Sequence, residues 1–186
     1  YVLNTWSGIY RRDFIEKYHI RHNTTPGASF QDNGFWFQTF CLAERVYFLN
    51  KPYYMNRRDN PNSSVKSREK VYCMNEEYKF IHKFLDCHPD LKNRFIFVYS
   101  MQRFRNYFWT YSRIDRKFKG EYLEKMSVEL NEAARNKELD REYFTPLEWK
   151  KICWIMKNPS AARKWMALSM TARKIKQIGK NIRREK

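Results

Sequence analysis

Asp32 is the side chain in this sequence best placed for acid–base chemistry, because it stands between Gln31 and Asn33 in a run crowded with Phe30, Phe35, Trp36 and Phe37. A carboxylate held on a rigid element, at the mouth of a cleft walled by Phe30, Phe35 and Trp36, can act as a general base toward a hydroxyl. The same residue suits a plainer task. In the first turn of a helix a carboxylate bonds free backbone N–H groups and faces the positive end of the helix dipole. Pro26 and Gly27 punctuate the chain, Ser29 is a candidate cap, and Phe35, Trp36, Phe40 and Ala43 recur toward Arg45 at helical spacing. Asp32 is therefore expected in or just before the first turn of a helix.

Other segments must hold that helix in place. Residues 1–9 begin extended, and Arg11-Arg12-Asp13 opens a short helix through Tyr18. His19 and His22 flank Arg21 in a loop and, without carboxylate or Cys companions, make a poor metal site. After the Asp32 helix, Arg45-Val46-Tyr47-Phe48-Leu49 reads as a strand, Asn50-Lys51-Pro52 as a turn and Tyr53-Tyr54-Met55-Asn56-Arg57 as a second strand. A polar loop through Ser64 follows, broken by Pro61. From Val71 the pattern turns helical: Val71, Met74, Tyr78, Ile81 and Leu85 form one stripe, and Pro89 suits the first position of the next helix. Helices are expected at 90–114, 118–135 and 142–156, the last opened by Thr145, Pro146 and Glu148. The expected fold class is α+β and mostly helical, with a short hairpin followed by a helical extension.

Three blocks taken in order carry a resemblance. Trp6-Ser7-Gly8-Ile9-Tyr10-Arg11-Arg12-Asp13-Phe14 is the first, and the stretch 27–37 with its Gln31-Asp32 pair is the second. The third runs Tyr47-Phe48-Leu49-Asn50-Lys51-Pro52-Tyr53-Tyr54-Met55-Asn56-Arg57-Arg58 and on through Asn60-Pro61-Asn62-Ser63-Ser64. Together they resemble the second half of a family 2 glycosyltransferase of the GT-A fold, of bacterial polysaccharide type. In that family the middle pair usually reads Glu-Asp, where this chain has Gln31. The resemblance implies that 1–69 is the acceptor-side part of a GT-A sheet domain and 70–186 a helical extension. A nucleotide-binding half with an Asp-x-Asp motif, carrying a divalent Mg or Mn ion, is then expected to precede Tyr1; this chain would bind no metal and be inactive alone. Asp32 becomes the general base of an inverting transfer. Gln31 or Asn33 would orient the acceptor, and Trp36 or Trp6 would stack on a sugar face. Arg57, Arg58, Ser63 and Ser64 would sit in a flap over the donor, where guanidinium forks match diphosphate oxygens. The implied partners are a nucleotide-sugar donor and a saccharide or lipid-linked acceptor. The plain alternatives stay open: Trp6 in the core, Arg11 and Arg12 solvated, and the flap an ordinary surface loop.

Composition narrows the field without choosing. A chain of 186 residues can bury one good core, and 37 Lys plus Arg against 20 Asp plus Glu gives a net charge of +17. Such a surplus asks for an anionic partner, whether nucleic acid, an anionic membrane face or a diphosphate-bearing substrate. Arg94, Arg103, Arg105 and Arg113 interleave with Leu91, Phe95, Val98, Phe104, Phe108 and Tyr111 in the helix expected at 90–114, which suits either a single-strand binding platform or a core face with arginines outside. A basic helical nucleic-acid-binding module is thus the alternative function, although no zinc spacing or RNA-recognition aromatic motif appears; the glycosyltransferase reading expects no nucleic acid. In the last 24 residues nine cations oppose the single Glu185, while Trp165, Leu168, Ala172, Ile175, Ile178 and Ile182 share one helical face. That is a basic amphipathic helix suited to an anionic membrane surface, or else a solvated tail. Four scattered cysteines, Cys41, Cys73, Cys87 and Cys153, fit a reducing, cytoplasmic setting, peripheral at the inner face of the membrane. No apolar run approaches the roughly 20 residues needed to cross a bilayer.

Overall fold

A computed structural model describes residues 5–24, 29–55, 57, 59 and 70–167. Among them the regular elements are helices: α1 (Arg12–Lys17), α2 (Asp32–Leu42), α3 (Cys73–Asp86), α4 (Pro89–Arg113), α5 (Lys119–Arg135) and α6 (Pro146–Lys157). Short 3-10 turns lie at Thr5–Ser7, Arg116–Phe118 and Arg141–Tyr143, and 159–167 is also helical. None of these helices is long and apolar enough to cross a membrane. The chain forms two compact units, Tyr1–Ile114 and Asp115–Lys186. The boundary at 69/70 implied by the family resemblance lies at the edge of 60–69, outside the described residues.

The sheet expectation is overturned, because no strand occurs among the described residues. Residues 45–49 and 53–55 run without regular structure and hold their large side chains in solvent, Tyr47 at 85% and Met55 at 96% exposure. Their β-branched and aromatic composition favours a half-buried pleated surface, but a strand forms only by pairing, and an isolated two-stranded hairpin is marginal in water. Among the described residues there is no further strand for these segments to pair with.

The first unit is built on α3. Its stripe Met74, Tyr78, Ile81 and Leu85 is buried as the 3.6-residue period requires, and α3 packs on both α2 and α4. Rings from the three helices meet there, with Tyr78 edge-on to Tyr107 at 5.8 Å and Phe37 edge-on to Tyr99 at 6.2 Å. The aromatics Phe104, Tyr107 and Tyr111 of α4 are buried, and Arg103 is buried with its guanidinium 5.2 Å from the Tyr99 ring. This face of α4 is core.

In the second unit α5 and α6 pack together through Leu123, Met126, Leu130, Ile152 and Ile155. Asn131 Nδ2 donates to the Met156 carbonyl at 3.2 Å, satisfying an orphan acceptor at the end of α6. The start of α6 falls at Pro146 rather than Glu142. A residue before proline is pushed out of the helical region, and Thr145 is extended. Glu142 belongs to the preceding turn, where its amide bonds the Asp140 carboxylate at 3.0 Å. Thr145 and Glu148 form a full capping box: the Glu148 amide donates to Thr145 Oγ1 at 3.2 Å and the Thr145 amide to Glu148 Oε2 at 2.8 Å. Thr145→Ala is expected to destabilise this unit by about 1 kcal/mol. A urea denaturation midpoint read from amide signals of α6 checks it.

Candidate active site

Asp32 is the first residue of α2, and Gln31 stands at the cap position without a side-chain cap bond. Ser29 is not the cap; its buried hydroxyl accepts from Lys70 Nζ at 2.8 Å. The Gln31 carbonyl accepts from His22 Nδ1 at 3.3 Å and from the Phe35 amide at 3.3 Å. Ahead of them Phe30 adopts a left-handed φ of 68°. A bulky residue there costs on the order of 1 kcal/mol and persists only where its surroundings fix it. They do so here: the Phe30 ring is edge-on to Trp109 at 5.6 Å, and the Arg113 guanidinium lies 5.0 Å from Phe30 and 4.7 Å from Trp109.

The Asp32 carboxyl is half-buried, with no ion-pair partner among the described residues. Burial holds its pKa above the ordinary carboxylate range, opposed by backbone bonds from Asp32 and Asn33 and by the charge of His22. Asn33 is committed to the protein. Its Nδ2 donates to the Phe30 carbonyl at 2.9 Å and toward Asp32 Oδ1 at 3.4 Å, and its Oδ1 faces Asn106 Nδ2 at 3.5 Å. Asn106 in turn donates to the buried Tyr78 hydroxyl at 2.6 Å. A polar chain therefore leads from Asp32 into the core.

A second carboxyl lies beside the first turn of α2. Glu77, on α3, accepts from the Gly34 amide at 2.7 Å and from Asn23 Nδ2 at 3.1 Å. Gly34 must be glycine for this contact, since a Cβ there would stand 2.4 Å from Glu77 Oε1 and 3.0 Å from the Phe80 ring. Alanine gains up to about 1 kcal/mol of helix propensity. Displacing the carboxyl gives up a bond of about 1.5–3 kcal/mol, so Gly34→Ala is expected to destabilise the first unit on balance. Thermal unfolding of the variant beside wild type measures the sign.

The other expected residues divide. Trp6 sits in the Thr5–Ser7 turn, which packs on α2, and its half-exposed ring is 6.1 Å from Tyr54. Trp36 is half-buried against Phe37 and Phe40, at 5.9 and 5.8 Å. Phe35 is not a cleft wall; it is buried between a stacked His22 at 4.5 Å and an edge-on Tyr10 at 5.1 Å. Arg11 and Arg12 are solvated and pair with Asp13 and Glu16. Arg57 is exposed and pairs with Asp59 at 2.7 Å. Arg58, Ser63 and Ser64 lie outside the described residues, as do Pro26 and Gly27 and the stretch 168–186, where most of the basic amphipathic helix was expected. The four cysteines are free, with Cys87 and Cys153 exposed and the Cys41 thiol pushed by burial up to about 12. Among the described residues no three His, Cys, Asp or Glu side chains are grouped to hold a metal.

Glu77 was not a candidate from sequence, although one signal pointed to it. It occupies a slot between Met74 and Ile81 on the buried face of α3, where a charged residue demands a partner. In comparisons with known proteins, no family model, curated protein or solved structure matched the chain.

Proposed function

We propose that this chain supplies the acceptor side of an inverting glycosyl transfer, with Asp32 as general base. The observation that carries the reading is Asp32 itself, a half-buried carboxyl at the first position of a packed helix, raised in pKa by burial and without an ion-pair partner among the described residues. A raised pKa brings a base toward the range in which proton transfer is most effective. Asp32 would accept the acceptor hydroxyl proton as that oxygen attacks the anomeric carbon and the nucleoside diphosphate departs. The rigid first turn, held by Glu77, Asn33 and the Phe30–Trp109–Arg113 stack, fixes where that proton goes. Donor binding falls to a nucleotide-sugar-binding half, whose divalent Mg or Mn ion would neutralise charge on the leaving diphosphate. A lipid-linked acceptor would place the reaction at the cytoplasmic face of a membrane, with the basic C-terminal stretch against anionic headgroups.

The test joins this chain to such a half and compares transfer by wild type and Asp32→Asn. A variant that keeps most of the wild-type rate overturns the reading.

A further inference from the structure

Glu77 is 1% exposed, yet it is the one charged side chain among the buried residues of α3. Both of its oxygens are engaged, Oε1 by the Gly34 amide at 2.7 Å and Oε2 by Asn23 Nδ2 at 3.1 Å. One bond fixes the first turn of α2 and the other fixes the connector 20–24. A carboxyl is the group of this length that offers two acceptors; a glutamine offers one. The missing Cβ of Gly34 is what lets the carboxyl come this close.

We infer that Glu77 is the positioning residue of the Asp32 site, clamping the first turn of α2 and setting, by gain or loss of its proton, the charge against which Asp32 works. The inference rests on the reading of Asp32 as a base. On Glu77's own helix and the elements around it the charged or titratable groups are Asp32 on α2, Arg21 and His22 on the connector, Tyr78 beside it on α3 and the buried Arg103 on α4; of these Asp32 helps raise Glu77, and Tyr78 feels its charge. Burial, reinforced by Asp32, pushes the Glu77 carboxyl up to about 7 against the opposing bonds from Asn23 and Gly34. The charge of Asp32 is one of the causes that keep Glu77 neutral below that point. Near neutral pH a second negative charge appears next to it, strengthening Asp32 as a base. A carboxyl raised on folding contributes stability that is full below its unfolded value of 4.5 and is lost as pH climbs through about 7.

Carbon-13 NMR of the Glu77 carboxyl and nitrogen-15 NMR of the Gly34 amide, recorded on this chain across pH, test the inference. Both signals are expected to titrate together with a midpoint near 7. In Asp32→Asn that midpoint should fall, because the charge that helps raise it is gone. In Glu77→Gln the Gly34 step should vanish; should that variant not fold, His22→Gln replaces it, and the step must survive there because Glu77 and its bond to the Gly34 amide are kept. A flat Gly34 signal in wild type, a midpoint unmoved by Asp32→Asn, or a step lost with His22 would each overturn the inference. These readouts need no transfer activity. An Asp32→Asn protein that still transfers sugar therefore removes the base while leaving the clamp, and the two failures are distinct.

Discussion

Asp32→Asn, in this chain joined to a nucleotide-sugar-binding half, is expected to lower the transfer rate by about 10²- to 10⁴-fold, the usual worth of a positioned general base. Asparagine keeps the size of the side chain and one oxygen to accept from the backbone amides at the start of α2, so the turn should hold. What it lacks is a lone pair basic enough to take the hydroxyl proton. Because burial raises the Asp32 pKa on folding, the stability this group contributes is present at low pH and lost as pH rises through its folded value. At neutral pH the Asn variant should thus be at least as stable as wild type. Transfer assays alongside thermal unfolding separate the two effects: a large loss of rate with an unchanged midpoint identifies chemistry, and a loss of both identifies damage.

Leu85→Ala is expected to cost about 2–5 kcal/mol, the range for removing a buried leucine and leaving a cavity. Leu85 is 0% exposed, on the helix that packs against both α2 and α4. Small domains are stable by only about 5–15 kcal/mol, so this one change removes a large share and should lower the unfolding temperature by roughly 10 °C or more. Met55, exposed at 96%, is the control, and Met55→Ala should stay within about 0.5 kcal/mol. Glu77 lies two turns upstream of Leu85 on α3, so loosening this helix should also release the Gly34 amide to exchange with solvent. Hydrogen exchange at Gly34 in the Leu85→Ala protein would register that link.

The helices were legible because their signals are local. The stripe from Met74 to Leu85, Pro89 at the head of α4 and the Thr145–Glu148 box each declare themselves within a few residues, and Asp32 falls in the first turn of α2 as its flanking pattern implied. Residues 45–57 misled for the opposite reason. Side-chain preference can mark a segment as fit for a sheet, but pairing is decided by partners far away in the chain, and among the described residues there are none. Around Asp32 the sequence named the acid and its neighbours Gln31 and Asn33 but not Glu77, which arrives across 43 positions to meet Gly34. Trp109 and Arg113 were equally hidden, since they reach Phe30 from the far end of α4.

The open stretch Val46-Tyr47-Phe48-Leu49 has a further consequence for how the protein behaves in concentrated solution. Four consecutive β-prone apolar residues in solvent form the kind of short segment that seeds stacked, fibrillar assemblies between molecules. Arg45 on one side and Lys51-Pro52 on the other act as gatekeepers, the cations by mutual repulsion between stacked copies and the proline by withholding a donor. These brackets oppose stacking of the segment between copies, and neutralising them is expected to make a solvent-facing ribbon a nucleus for fibres.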